Sequence, residues 1–251
     1  MKITLFYLTP KPPDVFESDH ETELQAKKWE AKGRQSLQAA RTELVKTGFT
    51  EEQIVSKLRA RRVSKVLDIV QEGADGRYDA VVLGRRGLSW LEQAFDESVT
   101  KGLLEQTVDF PLWICRKPDL ERKNVLACVD GSKASHRMVD HIGFILENNE
   151  KHTVTLVTVA KMGKIADKSP DDILSETGEV LRASGISADR IHTKVIAEAN
   201  PSKAILKEAR GFAAVAVGRT GTGKGLLKKV FVGSVSDTLF HELEGASLWL
   251  A

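Results

Sequence analysis

The chain is written twice, with copies far enough apart for each to fold as a domain. Residues Gly48 to Ile54 line up with Gly185 to Ile191, 137 positions further on, and Trp113 lines up with Trp249 at a spacing of 136. That spacing is too long for one turn of a solenoid and suits a duplicated unit with its own core. The most detailed match is a glycine-rich stretch, Gly218 to Ser236, with a weaker copy at Gly84 to Thr100. Each follows a short apolar run, and each closes on Ser-Val-Ser or Ser-Val-Thr, at Ser234 to Ser236 and at Ser98 to Thr100. Only the later copy keeps a glycine before that serine, Gly233, where the earlier one has Glu97. A backbone that must approach an anion wants glycine, and a carboxylate there repels it. Anion binding, if the chain has it, belongs to the second copy.

Composition narrows the function classes. The 251 residues include 29% charged side chains with a net charge of only +2, so no broad basic field points to nucleic acid. The apolar run Ile3 to Leu8 is too short for a signal-peptide core or a membrane span, and prolines follow it. The expectation is a soluble, cytoplasmic protein with no membrane or nucleic-acid partner. The 2 cysteines, Cys115 and Cys128, each lie inside a strand-like apolar run, which fits reduced core thiols better than a disulfide or a metal site. The 6 histidines show no ligand spacing, and the nearest pair, His136 and His141, is poorly placed to chelate from a helix. No metal site is expected.

Periodicity gives the element order. Asn124 to Val129 has strand length and is closed by Asp130, Gly131 and Ser132; Met138, Ile142, Ile145 and Leu146 then recur at helical spacing across Lys133 to Glu147. Thr153 to Val159 alternates as a strand should. A helix opens at Ser169-Pro170 and runs towards Gly185. Strand Ile191 to Ile196, helix Pro201 to Arg210, strand Ala213 to Val217, a helix from Ser234 and strand Ser247 to Leu250 complete the second half. The first half reads as strand Ile3 to Leu8, helix Glu21 to Lys46, strand Ile54 to Leu58, helix Val63 to Gln71, and strands Ala80 to Leu83 and Pro111 to Cys115. Alternating strands and helices predict an α/β fold: two Rossmann-like, doubly wound parallel-sheet domains in tandem. The polar stretch 117 to 123 links them, dividing the chain into residues 1–119 and 120–251. Aligned this way, the first half has no counterpart of Asn124 to Asn148, one strand and one helix.

These features resemble the universal stress protein family in its tandem form, whose domains are of the adenine nucleotide alpha hydrolase-like type. Val125 to Ser132 is similar to that family's first strand and turn, and the glycine stretch is similar to its signature. In members that bind ATP, the signature is Gly, two residues, Gly, nine residues, Gly, then Ser or Thr. Gly218, Gly221 and Gly233-Ser234 match it, but residues 222 to 232 make the long gap eleven instead of nine. In the first half residues 88 to 96 keep the family gap, and Glu97 replaces the last glycine. The resemblance implies an adenine-nucleotide site in the second half, for ATP or AMP with or without Mg²⁺. Asp130 would contact the adenine, and Val159 the base or sugar. Gly218 and Gly221 would let the backbone pass close to the ribose and phosphates. Gly233, Ser234, Val235 and Ser236 would bind phosphates at the start of a helix, where unpaired N–H groups and the dipole favour an anion.

Charge separates the copies in the same direction. From Gly84 to Ser98 the first holds Arg85 and Arg86 against Glu92, Asp96 and Glu97; from Gly218 to Ser234 the second holds Arg219, Lys224, Lys228 and Lys229 and no acid. Blander roles stand beside these. Asp130 to Ser132 also suits a turn and helix cap, Ser234 and Ser236 also suit caps, and Lys228 and Lys229 also suit a solvated face. A P-loop is set aside, because Gly225 stands where Ser or Thr should hold magnesium. No catalytic residues are marked, so the expected function is stress-response binding of a nucleotide as a stabiliser or conformational signal, with at most slow ATP hydrolysis. The alternative is a nucleotide-free interaction module of the same fold.

In this family the first strand lies at the centre of the sheet, so the first half is expected to carry a gap. Three arrangements answer it: the flanking strands pair directly, another chain supplies the strand, or the natural start lies upstream. Family members associate through their last strands. Pro111 to Cys115 and Ala246 to Leu250 are therefore expected to pair within one chain as a pseudo-dimer, with a homodimer as a further level of assembly.

Overall fold

The computed structural model describes residues 1–11, 19–84, 108, 110–115, 119–160, 168–219 and 234–251. In chain order its elements are β1 (Ile3–Thr9), α1 (Asp19–Lys46), β2 (Ile54–Ala60), α2 (Lys65–Asp75), β3 (Val81–Gly84), β4 (Leu112–Cys115), β5 (Lys123–Cys128), α3 (Lys133–Leu146), β6 (Val154–Ala160), α4 (Pro170–Ala183), β7 (Ile191–Ala197), α5 (Pro201–Glu208), β8 (Phe212–Val217), α6 (Ser234–Glu242) and β9 (Ser247–Leu250). Among the described residues, no helix is long and apolar enough to cross a membrane.

Local chemistry sets the helix starts. Ser132 caps α3 by accepting the Ser135 N–H, and Ser169 caps α4 by accepting the Asp172 N–H, with Pro170 in the first turn. Asn200 caps α5 from before Pro201. Proline costs nothing there, because the first turn has no internal acceptor for its missing N–H. α5 ends at Glu208, shorter than the expected Pro201 to Arg210, and Ala209–Gly211 tightens into a 3₁₀ turn that feeds β8.

The chain packs as two compact units, Met1–Gln71 and Glu72–Ala251. In the larger, seven strands run in the order β3-β4-β9-β8-β5-β6-β7. From β7 to β9 every pairing is parallel, with β5 in the middle. The chain steps outward from β5 to β6 and β7, then returns past β5 to β8 and β9. Right-handed crossovers place α3 and α4 on one face and α5 and α6 on the other. Contacts agree: α3 packs on α4, and α5 on α6. Val125, Ala127, Val154 and Leu156 of the sheet meet Met138, Val139, Ile142 and Leu181 of the helices in a closed core. β5 is short and apolar because both of its faces are covered.

β4 pairs antiparallel with β9, in a register that sets Trp113 opposite Trp249. These are the two tryptophans that the repeat aligns, so a pseudo-twofold axis passes between them. Leu112 faces Leu250 and Ile114 faces Leu248 on either side of it, the exchange expected of an isologous contact. The expected pairing of the two last strands within one chain is present.

The smaller unit holds a two-stranded parallel sheet of β1 and β2, in register from Ile3 with Ile54 to Thr9 with Ala60. α1 packs on both strands and crosses them at Gly33, where a Cβ would lie 2.5 Å from Leu58 Cδ1 and 3.0 Å from Tyr7 Cδ1. Among the described residues neither strand joins a further one.

The duplication extends to side-chain detail. Gly48 and Gly185 both take positive φ, 102° and 86°, and each is followed by a 3₁₀ turn, Glu51–Gln53 or Ala188–Arg190, that leads into a strand. At matching positions Gln53 Nε2 donates to the Met1 carbonyl, and Arg190 Nε donates to the His152 carbonyl. Arg190 makes two further bonds, from Nη2 to the carbonyl of Leu146 at the end of α3 and to that of Asn149 in the turn after it.

The compact units divide elsewhere than the repeat does. β3 and β4 belong to the first copy, yet β4 hydrogen-bonds to β9 and carries both into the larger sheet.

Candidate functional site

In a sheet wound outward from a central strand, ligands bind beyond the carboxyl ends of the strands, at the point where the order reverses. Here that point lies between β5 and β8. Cys128 is in register with Val217 on β8 and with Val157 on β6. One or two residues further along each strand stand Asp130, Gly218 and Val159. Sequence positions 130, 159 and 218 are thus gathered on three adjacent strand ends.

Asp130 leaves β5 as an exposed side chain, and its Oδ1 accepts the Ser132 N–H at 3.0 Å. Gly131 turns the chain with φ 76°, a conformation that side chains disfavour. A Cβ there would also approach Ile173 of α4, at 3.2 Å. Ser132 then caps α3, so the turn-and-cap role expected of Asp130 to Ser132 is real. That role uses Oδ1 of Asp130, and an exposed carboxylate remains an acceptor for an amino group. Val159 is half-buried and pairs with Ile196.

Gly218 has a separate reason to be glycine. A Cβ on it would stand 2.4 Å from the Ala134 carbonyl carbon, 2.5 Å from the Ser135 nitrogen and 2.7 Å from the Ala134 oxygen. The end of β8 therefore lies directly on the first turn of α3. Arg219 is buried, its N–H donates to the Ala251 carbonyl, and its own carbonyl accepts from Arg137 Nη2 at 3.2 Å. Burial lowers the pKa of the Arg219 guanidinium from its ordinary value. Residues 218 and 219 are thus fixed from both sides, by α3 and by the residue after β9.

α6 begins at Ser234, as expected. Ser234 is exposed, its carbonyl accepts from Thr238 Oγ1, Val235 is half-buried and Ser236 is buried. Gly221 and Gly233, with Lys224, Lys228 and Lys229, lie outside the described residues, as do Glu97 and Ser98 of the first copy.

Gly131 belongs to the Asp-Gly-Ser turn read from the sequence, and a turn of that composition points to the positive φ found here. One neighbouring contact escaped sequence reasoning. The hold of Arg137 on residue 219 spans 82 positions, and no local pattern announces it.

The arrangement offers acceptors, a strand-end platform, one glycine that needs positive φ, Gly131, and one that needs space, Gly218. Among the described residues there is no cluster of three or more His, Cys, Asp or Glu able to hold a metal. Burial, with Asp130 adding to it, pushes the Cys128 thiol well above its ordinary range, and burial raises Cys115 too. Both cysteines are free and held in the unreactive thiol form.

Comparison with curated protein sequences finds no match. Among solved structures, a universal stress protein from Archaeoglobus fulgidus DSM 4304 is similar at 20% identity and a TM-score of 0.68, with 100% of this chain and 85% of that chain covered. A putative universal stress protein from Pseudomonas aeruginosa UCBPP-PA14 is similar at 13% identity and a TM-score of 0.53, covering 98% and 92%. A universal stress protein in complex with cAMP matches at 20% identity and a TM-score of 0.42, over 52% of this chain and 96% of that one. Identities this low speak to fold alone. The universal stress protein family itself matches residues 2–116 and again 121–244, so the chain belongs to the universal stress protein family, as a tandem of two such domains.

Proposed function

We propose that the second repeat, residues 120–251, binds an adenine nucleotide, ATP or AMP, with or without Mg²⁺. The observation that carries this is the convergence of Asp130, Val159 and Gly218 on adjacent strand ends at the reversal of strand order. The exposed Asp130 carboxylate fits the donor edge of adenine, and Val159 offers an apolar contact for the base or sugar. Phosphates would lie towards Gly221, Gly233 and the helix start at Ser234, Val235 and Ser236. The ligand acts by binding one state of the protein better than another, as a stabiliser or conformational signal in a cytoplasmic stress response.

The first repeat, residues 1–119, serves packing and does not bind nucleotide. Its sequence carries Glu97 in place of the last glycine. In the alignment of the repeats it also has no counterpart of Asp130 to read the base.

One observation favours a second reading, a nucleotide-free interaction module. Packing against Ala134 already requires glycine at 218, so that residue alone does not argue for a ligand. A thermal-unfolding titration of the full chain separates the two. At about 100 times its dissociation constant a nucleotide adds roughly 2.7 kcal/mol of stability. A melting temperature unmoved by ATP, ATP with Mg²⁺ and AMP, with no nucleotide released from the denatured protein, establishes the second reading.

A further inference from the structure

The seam between β4 and β9 packs against an ionisable ring. Trp113 and Trp249 stack with ring centroids 4.2 Å apart and planes 5° from parallel. Against their edges stands His141 of α3, at 5.8 Å from Trp113 and 6.4 Å from Trp249, both edge-on. The Trp113 indole N–H donates to His141 Nε2 at 3.0 Å, so Nε2 is an acceptor and the ring proton sits on Nδ1. This bond ties β4, from the first repeat, to a helix of the second. It has no symmetric counterpart at Trp249, whose Nε1 donates instead to Ser247 Oγ in its own strand.

We propose that Trp113, His141 and Trp249 form a proton-operated latch, in which protonation of His141 under mildly acidic conditions breaks its bond to Trp113 and loosens the β4 to β9 seam. A protonated imidazole is a donor at both nitrogens, so at 3.0 Å an indole N–H would face another N–H. Ring attraction for the new cation is weak at these separations, which lie at or beyond the reach of cation–π contacts. The charged groups facing His141 are Asp140 on its own helix and Asp79 from the segment before β3; both favour the charged ring. Burial opposes it more strongly and leaves the His141 pKa below its ordinary value of 6.5. The sign follows: the unfolded chain takes up the proton first, so the stability from this group is present above pH 6.5 and is lost as pH falls towards the folded-state value.

The test is a near-ultraviolet circular dichroism titration of the full chain from about pH 7.5 to 4.5. Indoles held in a fixed, asymmetric packing give structured near-ultraviolet bands. The expected result is loss of part of that tryptophan signal below pH 6.5, with the far-ultraviolet helix signal retained. His141→Gln stays neutral and keeps an acceptor, and it should hold the near-ultraviolet bands across that window. A wild-type near-ultraviolet signal that persists unchanged to the end of the titration, or a His141→Gln transition matching wild type, overturns the latch. If His141→Gln does not fold, the indole N–H resonances of wild type decide. The Trp113 resonance, assigned by its absence in Trp113→Phe, should shift or broaden with the same midpoint, and a resonance that does not move overturns the proposal.

Discussion

Gly218 lies against the backbone of Ala134 so closely that a Cβ on it would stand 2.4 Å from the Ala134 carbonyl carbon. The contact joins the end of β8 to the first turn of α3. It also makes the effect of changing this glycine predictable without reference to any ligand.

Gly218→Ala forces a methyl group against the backbone of α3, where no flexible side chain can give way. The expected cost is about 1 to 3 kcal/mol, the usual range for overpacking a well-filled site. Urea denaturation should show a lower midpoint with an unchanged slope. A variant as stable as wild type would mean that β8 and α3 are more loosely apposed. Nucleotide affinity should be measured at a temperature where the variant is fully folded, so that loss of fold is not mistaken for loss of site.

Strand and helix order was legible in the sequence because it rests on local periodicity: alternation in Thr153 to Val159, and apolar spacing after Ser132. The pairing of the two last strands was expected from the family resemblance, whose members associate through those strands, while the register that sets Trp113 opposite Trp249 came with the structure. The role of His141 was not legible, because its partner lies 28 residues away and helical spacing shows only a histidine near the buried face. Nor was the second reason for glycine at 218. A signature read along the chain shows where glycine occurs, while the need for it here comes from Ala134 and Ser135, brought together with it by the β5 to β8 pairing. The division into compact units differed from the repeat for the same physical cause, since hydrogen bonds of β4 to β9 outrank sequence proximity.

Asp130 is predicted to read the amino group of adenine. Asp130→Ala should weaken ATP and AMP at least about tenfold, equivalent to roughly 1.4 kcal/mol, while inorganic phosphate binding stays as in wild type. The variant also removes the acceptor for the Ser132 N–H, so a fold control is needed. Asp130→Asn supplies it, because its side-chain oxygen can still close the turn. Inosine triphosphate, which presents a carbonyl where adenine presents an amino group, should bind wild type more weakly than ATP, and Asp130→Asn should narrow that preference. Calorimetric titration reads all of these. Equal loss of nucleotide and phosphate in Asp130→Ala would point to a folding defect instead.

Gly233→Glu copies the first repeat into the second at the position that separates them. A carboxylate beside the expected phosphates should abolish ATP stabilisation and leave the melting temperature of the ligand-free chain nearly unchanged. Under the proposed reading, in which the first repeat has no counterpart of Asp130, the reciprocal Glu97→Gly should not create binding. Thermal shifts with and without ATP test both; a Gly233→Glu chain that still gains stability from ATP removes the glycine from the site.

Arg190 ties the end of α3 and the turn after it to the start of β7. Its guanidinium is buried and holds three carbonyls, of Leu146 at 3.2 Å, Asn149 at 2.7 Å and His152 at 3.0 Å. Removing it leaves those carbonyls without a donor in a place with little access to water, so Arg190→Ala should cost about 2 to 4 kcal/mol. Arg190→Gln reproduces Gln53, which holds only the Met1 carbonyl at the matching position. A glutamine can keep the bond to the His152 carbonyl but not those to Leu146 and Asn149, so its loss should fall between wild type and Arg190→Ala. Equilibrium unfolding in urea gives the order. If Arg190→Gln is as stable as wild type, the carbonyls of Leu146 and Asn149 do not need the arginine.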